Sequence, residues 1–249
     1  MTQPALSPHT EQLPGGIAFD MLPVEGGEFL MGGTDEEADE YEKPVHKVKL
    51  SSFYLGKYPV TQAIWQSVMG DNPSNFKGEH RPVEQVTWED AKDFIQKLND
   101  LTTKSRPAGF AYCLPAEAQW KYAARGGKHS EGYLYAGSDK LKQVGWYREN
   151  SNNETHEVGQ KLANELGLYD MSGNVWEWCE DDWHDNYNGA PTDGSAWVDK
   201  GRGVHRVVRG GSSFSDAQDC RAASRYYDEP ASRNDGFGFR LALSLQSVG

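Results

Sequence analysis

The sequence predicts one α+β domain that is rich in loops and has only a few short helices and short strands. Three observations support this fold class. Aromatic residues make up 12% of the 249 residues, and there are 27 glycines, a composition typical of a compact fold with limited regular structure. Helical spacing of apolar residues is confined to segments before Gly127. No linker or repeat of solenoid period divides the chain after residue 16.

Short strands are predicted in the N-terminal part of the chain. Residues 1–16 are polar and aperiodic, so we expect a loose tail, and the single domain then spans residues 17–249. Residues 19–32 have the composition of strands, and residues 46–60 alternate as in a half-buried strand. The acidic stretch at residues 34–44 is predicted to be a solvated loop.

Three helices are predicted from capping residues and spacing. Thr61 can cap a helix that ends at Gly70, and Thr87 can cap a second helix. Apolar residues of this second helix recur at helical spacing, namely Ala91, Phe94, Ile95, Leu98 and Leu101. Pro115 announces the first turn of a third helix, which Gly126 stops. Each of the first two helices should pack one face inward.

The charge of the chain excludes one class of partner. The net charge is −12, whereas proteins that bind nucleic acid or anionic membranes need a basic surface. Residues 201–249 hold seven arginines against five acidic residues, a balance of +2, which leaves −14 for the rest of the chain. We interpret these arginines as part of the scaffold, with an anionic ligand as the alternative.

The cysteines and the hydropathy indicate a reducing compartment. Cys113, Cys179 and Cys220 are widely spaced and odd in number, which predicts free thiols rather than a disulfide framework. The chain opens without a signal-peptide pattern and contains no run of eighteen apolar residues, so we expect a cytoplasmic protein with no membrane insertion.

The C-terminal segment, residues 206–243, alternates a framework with residues that look freely chosen. The framework reads RVVRGGS, AQ, CRAA, R, EP, R and GFRL. The fourteen candidate positions between these pieces are Ser213, Phe214, Ser215, Asp216, Asp219, Ser224, Tyr226, Tyr227, Asp228, Ser232, Asn234, Asp235, Gly236 and Phe237. Aromatic rings give rigid contact area and small polar residues give adaptable hydrogen bonds, a mixture typical of binding surfaces. A solvated loop with turn chemistry is the alternative.

Individual candidate positions suggest how a ligand would be held. Tyr226, Tyr227, Phe214 and Phe237 are predicted anchors, although Phe237 precedes a strand-like GF pair and could instead face the core. Four acidic candidates favour basic or hydrogen-bond-donating partners, with ordinary surface charge as the alternative: Asp216, Asp219, Asp228 and Asp235.

Four ordered segments resemble the formylglycine-generating enzyme and sulfatase-modifying factor family, which adopts a variant of the C-type lectin fold. They are VEGGEFLMG with YPVTQAIW, PVEQVTWEDAKDFIQKLN, YCLPAEAQWKYAARGG and GLYDMSGNVWEWCEDDW, and they are closed by RVVRGGS and GFRLA. The resemblance covers nearly everything after residue 19 and implies a single lectin-type domain.

The enzymes of this family use two cysteines, a few residues apart just after the RGGS-like segment, to bind copper. The corresponding stretch here is SFSDAQDC, with Cys220 as its one thiol. Cys113 and Cys179 belong to other segments, so no copper-binding pair is evident, and we predict no catalytic residues and no required cofactor. Each cysteine is interpreted as a small buried apolar residue.

The segment is also similar to the variable proteins of diversity-generating retroelements, a branch of the same fold. There a reverse transcriptase copies a template repeat and randomises adenines, commonly in the asparagine codon AAC. Each of the fourteen candidates has a codon reachable from AAC through adenine changes alone, and Lys, Glu, Gln, Met and Trp, which are unreachable, do not occur among them. The resemblance implies that the scaffold presents these side chains on one solvent-facing surface.

The sequence also contains candidate residues for a metal site and for a sugar site. The family resemblance implies a structural calcium ion held by Asp170 and Glu177 with backbone near Gly173 and Val175, and a hydrogen-bonded loop without metal is the alternative. The tryptophans Trp176, Trp178 and Trp183 could stack a sugar, although their place in the framework favours core packing. His184 stands alone among carboxylates, which predicts a solvated side chain.

These observations lead to three functional hypotheses. The first is a non-enzymatic variable protein that recognises a protein or peptide ligand through the candidate positions. The second is an oxidase or accessory protein of the formylglycine-generating type. The third is a calcium-dependent carbohydrate-binding lectin.

Overall fold

A five-stranded sheet holds the two ends of the domain together. The computed structural model describes residues 6–245, and every pairing in this sheet is antiparallel. In spatial order its strands are β1 (His9–Gln12), β2 (Ala18–Val24), β5 (Phe53–Gly56), β11 (Ala242–Leu245) and β6 (Phe110–Cys113). Because β11 lies between β5 and β6, the end of the C-terminal segment is fixed inside the sheet.

A four-stranded sheet carries most of the C-terminal segment. In spatial order its strands are β10 (Phe237–Gly238), β7 (Trp176–Asp182), β8 (Arg206–Arg209) and β9 (Arg225–Asp228). The short strand β10 runs parallel to β7, whereas β8 pairs antiparallel with both β7 and β9. A separate two-stranded sheet joins β3 (Glu28–Met31) to β4 (His46–Lys49).

The helices follow the predicted caps. Helix α1 (Gln62–Met69) starts after Thr61, whose Oγ accepts from the Ile64 amide, and ends at Gly70 with φ +89°. In helix α2 (Trp88–Leu101), Thr87 and Asp90 form a capping box. Both predictions are confirmed, except that Leu101 is 53% exposed at the helix end.

The remaining helices are short. Helix α3 (Glu117–Ala124) has Ala116 as its N-terminal cap residue, so Pro115 lies one residue before the cap rather than in the first turn of the helix. Gly126 adopts φ +81° just after it, as predicted for a stop. Helix α4 (Leu141–Val144) has only four residues. No helix within residues 6–245 is long and apolar enough to cross a membrane.

The predicted loose tail is wrong from His9 onward. Strand β1 pairs with β2, with Thr10 opposite Asp20, and Leu13 is buried in the core. Glu11 is fully buried and accepts a 2.9 Å hydrogen bond from the Tyr112 hydroxyl. The prediction failed because the polar residues of the tail show no strand pattern of their own. They form β1 only by pairing with β2, which lies beside them in space.

Arginines of the C-terminal segment are buried as ion pairs. Glu117 on α3 contacts Arg209 at 2.9 Å and Arg225 at 2.8 Å, and Arg240 contacts Glu177 at 2.8 Å. Although burial opposes ionisation, Arg225 and Arg209 hold the pKa of Glu117 below its ordinary value. The interpretation as scaffold is therefore confirmed for Arg209, Arg225 and Arg240, whereas Arg233 is exposed and Arg202 is partly exposed.

The acidic stretch at residues 34–44 is not simply a solvated loop. Arg221 is fully buried and contacts Glu42 at 2.5 Å and Asp35 at 2.9 Å, and Glu42 is itself 1% exposed. These carboxylates neutralise a buried guanidinium that would otherwise be costly to desolvate. The stretch therefore ties the C-terminal segment to the N-terminal part of the domain.

Candidate ligand-binding surface

The fourteen candidate positions do not share one exposure. Three are exposed: Asp216, Tyr226 and Asn234. Six are partly exposed: Phe214, Asp219, Tyr227, Asp228, Ser232 and Asp235. Five are buried, contrary to the expectation of a solvent-facing surface: Ser213, Ser215, Ser224, Gly236 and Phe237.

The buried candidates belong to the framework because each has a structural contact. Ser215 Oγ accepts from the Ser212 amide at 3.0 Å, and the Ser213 amide donates to the Asn174 carbonyl. The Gly236 carbonyl accepts from the Trp176 amide at 2.7 Å. Phe237 is 5% exposed, so the alternative that it faces the core is confirmed. Small hydroxyl and glycine residues suit a tight turn as well as a surface, which is why composition alone misplaced them.

One group of accessible candidates surrounds Phe214. The Phe214 and Phe76 ring centroids are 6.2 Å apart, and Asp216 contacts Arg148 at 2.6 Å. Asp235 accepts from the side-chain amides of Asn75 and Gln85. The surface therefore also includes Asn75, Phe76 and Gln85, which lie outside the candidate positions. The sequence did not predict their part in the surface, because only the folded chain brings them beside the C-terminal segment.

A second group forms an aromatic row, defined here as Trp176, Tyr226, Tyr227, Trp183 and Tyr41. Tyr226 lies 5.8 Å from Trp176 and 5.4 Å from Tyr227, measured between ring centroids. Tyr227 lies 4.5 Å from Trp183, which in turn lies 5.4 Å from Tyr41. The row crosses the edge strand β9, and two of its members are open to solvent. Tyr226 is 52% exposed and Tyr41 is 46% exposed.

Of the three tryptophans considered for sugar stacking, Trp176 and Trp178 are core residues. Trp176 is 8% exposed and Trp178 is fully buried, which confirms core packing for both. Trp183 is only partly buried, and Arg225 lies 4.3 Å from its ring centroid on the protein side. Of the three, only Trp183 therefore presents a ring to a ligand.

An open cavity of about 590 Å³ adjoins the row. It is lined by Trp183, His184, Asp185, Asn186, Asn188, Trp197, His205 and Tyr227. His184 stacks on Trp197 with ring centroids 3.6 Å apart and is therefore part of a built wall, not the isolated solvated side chain predicted. The sequence did not predict this cavity, because Trp197 and His205 reach it from separate loops.

The remaining acidic candidates serve local structure. Asp228 Oδ1 accepts from the Ser232 hydroxyl at 2.6 Å and the Glu229 amide at 2.7 Å, which is turn chemistry. Asp219 lies in a short 3₁₀ turn, where burial raises its pKa. The side chains of Asp219 and Asp228 therefore lie beside the surface. They are not grouped around one point with the side chains of Asp216 and Asp235.

Glu177 does not fit the calcium site that the family resemblance implies. Both of its oxygens accept from Arg240, and Oε2 also accepts from the Trp120 indole at 2.6 Å. Asp170 accepts from the Gly159 amide and the Asn174 side chain, and burial raises its pKa to about 6. A carboxylate neutralised by a guanidinium is a poor calcium ligand. Within residues 6–245 no group of three or more His, Cys, Asp or Glu side chains could hold a metal ion.

The three cysteines are free, as predicted. Burial raises the pKa of Cys113 to about 11 and raises the pKa values of Cys179 and Cys220 as well. Buried thiols of this kind fit the role of small apolar packing residues that the sequence predicts.

The whole domain matches one protein family. Residues 8–245 match the model of the sulfatase-modifying factor enzyme 1-like domain. The chain belongs to this family. The structure of Treponema denticola variable protein 1 superposes with a TM-score of 0.83 and 30% identity, covering 96% of this chain and 99% of that one. The predicted formylglycine-generating-enzyme variant of the C-type lectin fold is thereby confirmed.

Relatives in this family differ in what they are named for. The chain is 39% identical over 212 residues to the chaperone protein LppX of Paenibacillus barcinonensis, covering 68% of this chain and 73% of that protein. It is 30% identical over 292 residues to the formylglycine-generating enzyme of Streptomyces coelicolor, covering 87% of each. Some other relatives are longer, and the chain spans 39–42% of their length. The family therefore includes proteins that are named as enzymes and proteins that are not, so membership alone does not establish an activity.

Proposed function

We propose that this protein is a variable protein of a diversity-generating retroelement, which binds a protein or peptide ligand through the accessible candidate positions. The observation that carries the proposal is the crowding of exposed apolar side chains around one site. Residues 6–245 contain eight large apolar side chains that are exposed. Tyr41 and Tyr226 lie in the aromatic row, and Val198 and Val204 adjoin the cavity residues Trp197 and His205 in the sequence. Such clustering is typical of protein interaction sites.

The surface is also energetically separable from the fold. Asp216, Tyr226 and Asn234 are exposed, whereas the framework arginines Arg221 and Arg225 are buried and paired. A rigid scaffold that holds variable loop residues allows ligand choice to change without unfolding. Similarity to the Treponema denticola variable protein supports this role.

An enzyme of the formylglycine-generating type is the second candidate, because relatives of that name match most of the chain. It would need a thiolate pair near residues 213–220, and the one thiol there, Cys220, has a raised pKa. Oxygen- and copper-dependent oxidation of a cysteine-containing peptide by the purified protein would favour this candidate over the binding protein.

A display experiment tests the proposal directly. One library randomises Asp216, Tyr226, Tyr227, Asn234 and Asp235, and a matched control library randomises five accessible positions remote from the row, including Leu101 and Leu162. Both are selected against the same panel of purified proteins after sorting for folded molecules. We expect specific binders from the first library alone. Equal enrichment from the control library, or loss of folding throughout the first, would contradict the proposal.

Inspection of the genome gives an independent test. We expect a reverse-transcriptase gene and a near-copy of the 3′ coding end that differs at adenines in codons of accessible candidates. The buried candidates Ser213, Ser215, Ser224, Gly236 and Phe237 should differ less often than the accessible ones. A locus with neither element would remove the retroelement from the proposal.

A further inference from the structure

The cavity beside the aromatic row is built almost entirely from residues outside the fourteen candidate positions. Of its lining, only Tyr227 is a candidate, and the others come from residues 183–188, Trp197 and His205. Changing the candidate positions therefore leaves most of its wall unaltered. A surface with variable specificity thus has a constant pocket at its margin.

The chemistry of the pocket suits a cation. The lining contains no lysine or arginine, and its one carboxylate, Asp185, is exposed. Asp185 Oδ1 accepts from the Trp183 indole at 2.8 Å, which leaves Oδ2 for a ligand. One ring face of Trp183 is covered by Arg225, which is itself paired with Glu117, and one face of Trp197 is covered by His184, so a cation in the cavity would meet the remaining faces and the ring of Tyr227. Asp199, whose side chain is 54% exposed, accepts from His184 and adds a second negative charge near the wall.

The surroundings of the pocket indicate what carries the cation. Val204 is 75% exposed beside His205, and Val198 is 43% exposed beside Trp197. Exposed apolar side chains of this kind, adjacent in sequence to two cavity residues, gain stability against an apolar protein surface. Aromatic and arginine contacts are also the commonest strong contributors at protein interfaces.

We propose that this cavity is a fixed anchor for a lysine or arginine side chain on the ligand, while the variable residues beside it set which ligand is chosen. The inference deepens the proposed function and rests on it for the identity of the partner as a protein or peptide. Variants that differ at the accessible candidate positions would then bind different partners that all present a basic residue at the same place.

Titration with blocked amino acids tests the anchor without knowledge of the ligand. The probes are Nα-acetyl-arginine methylamide and its uncharged citrulline counterpart. Binding is followed through the indole N–H signals of Trp183 and Trp197 in ¹H–¹⁵N spectra, assigned with Trp→Phe variants. We expect the arginine probe to bind about fivefold more tightly than the citrulline probe, as one cation–π contact and one exposed ion pair would give.

Matched variants locate the charge. Asp185→Asn keeps an oxygen for the Trp183 indole and should weaken binding of the arginine probe about threefold. Asp93→Asn removes the same charge from an exposed position on helix α2, outside the cavity lining, and should have no effect. Equal binding of the two probes, tighter binding of a methyl glycoside, or no effect of Asp185→Asn would each overturn the anchor.

The two proposals fail in different ways. If the arginine probe does not bind but the library at the candidate positions yields specific binders, the anchor is wrong and the proposed function stands. If the probe binds as expected and the library yields nothing, the anchor stands and the diversified surface is wrong.

Discussion

Truncating Phe237 is expected to cost far more stability than truncating Tyr226, although both lie among the fourteen candidate positions. Phe237 is 5% exposed, and its ring meets Trp178 edge-on with centroids 5.3 Å apart, within a core cluster that also contains Phe94 and Phe239. Phe237→Ala removes these contacts and leaves a cavity, which costs about 3–5 kcal/mol. Because a domain of this size shifts by about 2–4 °C per kcal/mol, the thermal midpoint should fall by roughly 6–20 °C.

Tyr226→Ala is the matched control. Its ring is 52% exposed and loses only its stacking on Tyr227 and Trp176, which should cost about 1 kcal/mol or less. Urea unfolding followed by circular dichroism gives the free energy of unfolding for both variants. If the two free energies agree within about 1 kcal/mol, burial does not separate framework from surface, and position 237 returns to the recognition surface.

Two further predictions concern buried carboxylates. Glu42→Gln leaves the buried guanidinium of Arg221 short of a partner and should cost about 3–5 kcal/mol by urea unfolding, whereas the 87% exposed Glu40→Gln should cost under about 0.5 kcal/mol. Equal costs would argue against the acidic stretch as a counter-ion. Burial raises the pKa of Glu84 from 4.5 to about 7, so its contribution to stability is fully present below pH 4.5 and is lost as the pH rises through 7. Glu84→Gln should therefore be favoured over wild type more at pH 8 than at pH 5, and an unchanged pH dependence would show that Glu84 does not titrate in this range.

Local capping hydrogen bonds made the first two helices predictable from the sequence, whereas strand β1 was not predicted. Thr61 and Thr87 cap the first two helices through hydrogen bonds that span three residues, so the signal lies within the sequence segment itself. Strand β1 gains its stability from pairing with β2 and from Tyr112, which lies 101 residues from Glu11. The acidic partners of Arg221 are likewise 179 or more residues away, so composition showed charge without showing the contact.

The candidate site was predictable in its aromatic half. Tyr226 and Tyr227 follow the framework arginine Arg225 on the edge strand β9. Their rings are exposed or partly exposed there, as the composition of the segment predicted. Burial of the small residues was not predictable, because serine and glycine suit a tight internal turn and a solvent-facing loop equally well. The wall formed by Trp197 and His205 depends on loops that only the folded chain brings together.

The buried arginines also bear on the nucleotide sequence that encodes them. Arg209, Arg221, Arg225 and Arg240 each contact a carboxylate inside the domain, so losing any of them would remove a counter-charge from a buried carboxylate. A copying process that rewrites adenines would strike an arginine written AGA or AGG and spare one written CGN. If the proposed retroelement function is correct, we expect CGN triplets at all four positions, because mutation of adenines would then leave these arginines unchanged.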